Sequence, residues 1–188
     1  MFNGRFVEAR ENSASFPEDF PEAFELLIEW MYTEGYQCIE KDISAHELRF
    51  QLDVRLALCA LAVKICLPTL ADLTMTIIFS NLASRSMSPG PRILQASYDT
   101  LPAISPLLRF MIEIVYHDVF VLSPSHEWGS DDRVNYLSSN PDLLRDIIAI
   151  GRSREERRTK LVHPFERPVC DFHLHGPEHM CEFTRDIF

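Results

Sequence analysis

The apolar positions in the first part of the chain recur every three or four residues, which is the period of one helix face. Three glutamates and a threonine occupy the opposite face, so residues 20–33 are predicted to form an amphipathic helix. Asp19 and Glu22 have the spacing of a capping box, Pro21 suits the first turn, and Gly35 is predicted to end the helix. The apolar positions are Phe20, Ala23, Phe24, Leu27, Ile28, Trp30 and Met31.

The second apolar segment, residues 52–73, has a different pattern. It is apolar on all sides between Leu56 and Val63, which is typical of a helix inside a core. Pro68 disfavours helical angles at Leu67 and is predicted to begin a further helix that ends at about Leu82.

The second half of the chain also reads as helical. Ser, Pro and Gly cluster in residues 83–91, which marks a boundary. Helices are predicted at about 91–98 and 106–120, followed by a polar loop over 122–139. A last helix is predicted with Asn140 as its cap, Pro141 at its first position and Gly151 as its terminator. The fold class is therefore mainly α, with at most one or two short strands and a helical extension towards the C-terminus.

Composition narrows the class of protein. With 46% hydrophobic and 24% charged residues, the 188-residue chain is predicted to be globular. A net charge of -10 argues against nucleic acid as a partner. The chain has neither an apolar run long enough to span a membrane nor a secretory signal core at its start, so we expect an intracellular protein of the cytoplasm or nucleus. The five cysteines are expected to be free thiols.

Several of these residues carry a resemblance to a known family. The run from Pro21 to Tyr32, followed by the segment from Leu58 to Leu70, resembles the second half of a BTB/POZ domain as found in fungal proteins. Tyr98 to Arg109 and the Cys/His-rich stretch from Cys170 to Cys181 are similar to the tail of that family.

The resemblance implies a protein-binding module, acting as an adaptor or a transcription-related scaffold without catalysis. Residues 1–83 would be a BTB/POZ-like region that lacks the N-terminal part of the domain, and 84–91 a linker. Residues 92–151 would be a helical extension packing on that region, and 152–188 a charged linker with a Cys/His-containing tail. Because the family's dimer-forming elements precede the resembled segment, homodimerisation is not expected from the residues present.

The candidate partner-binding surface is the apolar face of the first helix. If part of the domain is lacking, the face loses its cover and would bind another protein. The residues assigned to this surface are Phe24, Leu27, Trp30 and Met31.

A second candidate site lies near the C-terminus. Cys170, His173, His175 and Cys181 are soft donors spaced two to six residues apart, and they could surround one zinc ion. The alternative is a tail that packs Phe172 and Phe183 onto the domain and leaves its histidines in water. Zinc is accordingly a candidate cofactor.

No catalytic motif is recognised. The sequence contains neither a glycine-rich phosphate loop nor a nucleophile elbow, so an enzyme is not expected. Two other interpretations stay open: a zinc-stapled regulatory protein that acts through its Cys/His tail, and a truncated gene product without independent function.

Overall fold

A computed structural model describes residues 20–35, 37–40, 42–120, 135, 137–138, 140–157, 162–176, 179, 181 and 183. Its elements with described bounds are six α-helices and two short 3-10 helices, and none of the described residues forms a strand. The prediction of a mainly α protein is confirmed. The elements are α1 Pro21–Thr33, α2 Ala45–Lys64, α3 Pro68–Ser84, α4 Pro91–Thr100, α5 Pro106–Phe120, α6 Pro141–Arg157, η1 Pro164–Glu166 and η2 Val169–Phe172.

Proline begins nearly every helix. Its fixed φ suits the first helical position, and its missing N–H would have no partner there. The exception among the α-helices is α2, which begins after Ser44, whose side chain accepts a hydrogen bond from Glu47 N at 3.1 Å. The prolines that begin elements are Pro21, Pro68, Pro91, Pro106, Pro141 and Pro164.

Two predicted helix ends need correction. Helix α1 ends at Thr33, and Glu34, not Gly35, adopts the left-handed conformation that closes it (φ 58°). Helix α6 continues through Gly151 to Arg157, so the charged segment from residue 152 begins as helix and not as linker. Contacts explain the extension, because Arg154 lies over the Tyr116 ring and pairs with Glu113.

Helices α2 and α3 form the centre of the molecule, as predicted from their apolar sequences. Leu58, Leu61, Ala62 and Leu70 have no exposed surface. Helix α1 packs on α2, while α4 lies between α2 and α5, and α6 packs on α5. The helices after residue 91 therefore bury their apolar faces in the same core as the first half.

The C-terminal segment also belongs to this core. Both 3-10 helices contact α5, and η2 contacts α3 as well. Phe172 is 1% exposed and lies with its ring centroid 4.9 Å from that of Phe110 and 6.5 Å from that of Phe79. The guanidinium groups of Arg109 and Arg167 lie over the same ring, at 5.5 and 4.6 Å from its centroid.

An ion-pair network fastens the segment to the helices. Glu113 of α5 is within 2.5 Å of Arg167, 3.5 Å of Arg154 and 4.0 Å of Arg109. These arginines come from three different parts of the chain, so one carboxylate joins α5, α6 and the C-terminal segment. Most of the predicted loop 122–139 and the predicted start of α1 at Asp19 lie outside the described residues.

Candidate functional site

The candidate surface on α1 is only partly exposed. Leu27 is 7% exposed and belongs to the core, so the expectation that it faces a partner is wrong. Phe24 and Trp30 are partly buried and pack against the same core. Met31, by contrast, is 66% exposed. Leu27 is buried because its side of α1 packs against α2. The sequence analysis had expected this face to be exposed if part of the domain is lacking.

A different set of apolar side chains is exposed on α1. Ile28 is 54%, Met31 66% and Tyr32 87% exposed. With Phe24 they are spaced three or four residues apart and lie on one face beside the buried one. We call Phe24, Ile28, Met31 and Tyr32 the α1 stripe.

Negative charge borders the α1 stripe. Glu25 and Glu29 stand three residues before Ile28 and Tyr32, which makes them neighbours on the helix surface. The helix contains no Lys or Arg. The α1 surface is thus apolar on one side and acidic on the other, as the sequence pattern predicts, but the predicted set of four residues did not include the exposed Ile28 and Tyr32.

The second candidate site is brought together as predicted. Ligand atoms from Cys170, His173, His175 and Cys181 all lie within 4.8 Å of one another, and we call these residues the Cys/His cluster. No disulfide bond joins Cys170 to Cys181. The alternative interpretation, with the histidines in water, is wrong for His173, which is 7% exposed.

Local backbone structure explains the convergence. Cys170 and His173 are three residues apart across η2, and a 3-10 helix has three residues per turn, so both side chains leave on the same side. His173 has extended backbone angles (φ -90°, ψ 164°), and a ring nitrogen of His175, two residues later, lies 3.1 Å from Nδ1 of His173. Leu174 between them is exposed, and His179 N donates a hydrogen bond to the Gly176 carbonyl at 3.0 Å.

Two residues of α3 hold this segment in place. Both carboxylate oxygens of Asp72 accept backbone hydrogen bonds, from Leu174 N at 2.6 Å and from His175 N at 3.3 Å. Thr76, one turn further along α3, has its hydroxyl oxygen 2.9 Å from Nε2 of His173. These partners could not be recognised from the sequence, because they lie about a hundred residues before the atoms they contact.

Burial disfavours the charged forms of two members of the cluster, His173 and Cys170. Burial lowers the pKa of His173. Burial also raises the pKa of the Cys170 thiol to about 11, with a further contribution from its hydrogen bond to Cys181. Two neutral imidazoles and two thiols can act as metal ligands once the thiols lose their protons.

A second group with donor atoms lies at the junction of α5 and the C-terminal segment. It comprises His117, Asp118 and His163. His163 Nδ1 accepts a hydrogen bond from Phe165 N at 3.1 Å, so in the neutral ring the proton is on Nε2, which faces Asp118 Oδ1 at 4.0 Å. A metal ion would need the lone pair of that nitrogen, and the geometry therefore favours a structural contact here.

Comparison with known proteins gave no match among family models, curated proteins or solved structures. Within the described part of the chain, none of the helices has the length and apolar character required to cross a membrane.

Proposed function

We propose that this protein is a non-catalytic protein-binding module, and that it docks its partner on the α1 stripe. The observation that carries the proposal is the exposure of Ile28, Met31 and Tyr32 side by side on a helix whose adjacent face is packed in the core. Exposed apolar residues are common singly, but a contiguous row bordered by charge is typical of an interaction surface.

The chemistry of the surface defines the partner. An apolar row beside Glu25 and Glu29 fits an amphipathic helix that carries Leu-like residues on one face and Lys or Arg beside them. A second copy of this chain would place glutamates against glutamates, so the proposal specifies a different protein. Such a module would serve as an adaptor or a transcription-related scaffold, in keeping with the BTB/POZ resemblance of Pro21 to Tyr32 and Leu58 to Leu70.

The exposed cysteine thiols bear on the cellular compartment of the protein. Cys38 and Cys66 are exposed and free, and exposed free thiols persist in reducing surroundings. These thiols support the proposal that the protein resides in the cytoplasm or the nucleus.

The Cys/His cluster favours a second candidate function, a regulatory protein that acts through its C-terminal segment. In this second function the partner would bind the C-terminal segment and not the α1 stripe. Leu174 is exposed in the middle of the cluster and would be part of that surface.

The test compares two doubly substituted proteins as bait in affinity capture with quantitative mass spectrometry. In the first, Ile28→Asp and Met31→Asp disrupt the α1 stripe at exposed positions, which spares the core. In the second, Leu144→Asp and Ile148→Asp make the same change at exposed apolar positions of α6. The proposal expects a partner that is recovered by the wild-type and α6 baits and lost with the α1 bait.

Binding of the recovered partner is then measured by calorimetry with the purified proteins. Its affinity should fall with rising salt, because opposite charges border the apolar contact. Equal binding by the α1 variant would refute docking on the stripe. Loss of binding in Leu174→Asp, with the α1 variant unaffected, would favour the second candidate function.

A further inference from the structure

Hydrogen bonds to groups outside the Cys/His cluster determine which ring nitrogen of His173 and of His175 carries the proton. The hydroxyl of Thr76 donates its single proton to the Asp72 carbonyl at 2.9 Å, so towards His173 it can only accept. Nε2 of His173 must therefore carry the proton and donate. The Gly176 carbonyl, 3.1 Å from Nδ1 of His175, can also only accept, which places the proton of that ring on Nδ1.

Both inner nitrogens are consequently lone-pair acceptors. Nδ1 of His173 and Nε2 of His175 lie 3.1 Å apart, and in the neutral rings neither carries a proton to share. Two lone pairs at this distance repel each other unless a positive centre lies beside them. Cys181 Sγ lies 3.5 Å from the same Nδ1, and Cys170 completes the group on the remaining side.

The spacings match those around a tetrahedral zinc ion. Zn–N bonds of about 2.05 Å and Zn–S bonds of about 2.3 Å give tetrahedral edges of roughly 3.35 Å for N···N, 3.55 Å for N···S and 3.75 Å for S···S. The observed N···N and N···S distances, 3.1 and 3.5 Å, lie close to these edges. The longest separation in the group, at most 4.8 Å, exceeds the largest tetrahedral edge by only about 1 Å.

We propose that Cys170, His173, His175 and Cys181 bind one zinc ion in a closed, structural site. Two thiolates and two imidazoles in a tetrahedron select zinc over hard cations such as Mg²⁺ or Ca²⁺, which require oxygen ligands. Because the protein supplies four ligands, no coordination position is left for a substrate. The ion therefore has a structural role and fixes the segment from η2 to Cys181 against α3.

Thr76 and Asp72 act as positioning residues. Thr76 fixes the tautomer and the ring orientation of His173, while Asp72 sets the backbone curvature that turns His175 inward. Outer partners of this kind are expected to raise metal affinity. The proposed zinc site does not involve the α1 stripe, so the zinc proposal and the docking proposal can be tested independently.

The His117, Asp118 and His163 group supplies an internal contrast. There Phe165 N donates a hydrogen bond to Nδ1 of His163, so Nε2 of that ring carries the proton. A proton, and not a lone pair, therefore points towards Asp118. Of the two groups found among the described residues, the structure therefore assigns a metal ion to the Cys/His cluster and not to the second group.

The first experiment measures metal content. Untagged protein, prepared in zinc-containing medium and desalted, is analysed by inductively coupled plasma mass spectrometry, and the expected result is one zinc per chain. After zinc removal, added Co²⁺ should give the intense visible absorption of a tetrahedral site and a thiolate-to-cobalt charge-transfer band.

The combined substitution of Cys170→Ser and His175→Gln should abolish both the zinc content and the Co²⁺ absorption. The matched control of Cys66→Ser and His46→Gln changes exposed residues of the same types outside the cluster and should leave both unchanged.

A second comparison remains informative if the ligand variant fails to fold. Thr76→Val and Thr74→Val each remove a buried hydroxyl of α3 that donates to a backbone carbonyl, and the Thr76 hydroxyl also lies 2.9 Å from Nε2 of His173. Zinc affinity, measured by competition with a chromophoric chelator, should fall about 10- to 100-fold in Thr76→Val and stay unchanged in Thr74→Val.

Three results would overturn the proposal. The first is wild-type protein that takes up neither zinc nor Co²⁺. The second is full zinc content in the ligand variant. The third is an equal change of affinity in the two threonine variants.

Discussion

Replacing Phe172 with alanine tests whether the C-terminal segment is part of the folded core or an appendage on it. The side chain is 1% exposed and is surrounded by the rings of Phe79 and Phe110 and by the guanidinium groups of Arg109 and Arg167. Phe172→Ala would leave a cavity with an aromatic lining and two cations that have lost an aromatic face.

The expected cost is large relative to the stability of a small protein. Truncation of a buried Phe to Ala typically destabilises by about 3–5 kcal/mol, and whole domains are stable by only about 5–15 kcal/mol. For a chain of this size the loss corresponds to a fall in Tm of roughly 6–20 °C. Phe172→Leu keeps most of the apolar volume but loses the ring contacts, so its cost should lie between those of wild type and Phe172→Ala.

Urea unfolding followed by far-ultraviolet circular dichroism measures this cost. The free energy of unfolding is extrapolated to water, and the slope with urea concentration shows whether the surface exposed on unfolding has changed. Leu174→Ala is the matched control, because Leu174 belongs to the same segment and is 44% exposed. Its effect should stay within about 0.5 kcal/mol of wild type.

A loss below about 1 kcal/mol for Phe172→Ala would refute the reasoning, since burial of a whole phenyl ring in a shared core cannot be worth so little. The segment would then open independently of the helices. Amide hydrogen exchange would show this as weak protection at the segment beside strong protection in α3 and α5.

Three further substitutions test individual contacts. Asn140→Ala removes the acceptor that caps α6 and should cost about 1–2 kcal/mol in urea unfolding, most of which Asn140→Asp should restore. Ser44→Ala should destabilise α2 by about 1 kcal/mol in the same assay, and an equally stable variant would show that the cap is not formed. Burial lowers the pKa of His117, so its neutral form stabilises the fold above the unfolded pKa of about 6.5 and this contribution is lost as the pH falls below that value. His117→Phe should therefore flatten the loss of unfolding free energy between about pH 6.5 and 5, and an unchanged slope in this variant would contradict the assignment.

The helices could be predicted from the sequence because their signals are local. Pro68 and Pro106 mark helix starts, and the structure confirms both. The Asn140 cap is also confirmed, by hydrogen bonds from the amides of Asp142 and Leu143. Gly151 misled the prediction, since a glycine ends a helix only if tertiary contacts beyond it do not favour continuation.

The sites depended on contacts that the sequence does not reveal. The Cys/His spacing identified the right four residues, but their orientation depends on Asp72 and Thr76, and no periodicity links these to the C-terminus. The burial of Leu27 likewise follows from the way α1 lies on α2. A helix that is apolar over more than half of its circumference does not indicate which part of the arc faces the core.

The positions of the two candidate sites decide how far they can influence each other. Had the C-terminal segment covered α1, the exposed stripe would not exist and the docking proposal would have no basis. Instead, η1 and η2 pack on α3 and α5, whereas α1 packs on α2. Among the residues that the structure describes, the path from the metal ligands to the α1 stripe runs through the closely packed pair of α2 and α3, whose buried positions leave little room for a second arrangement. Zinc removal should therefore weaken partner binding at the stripe only as far as it unfolds the protein, and an effect on binding without loss of helicity would show that the sites are coupled.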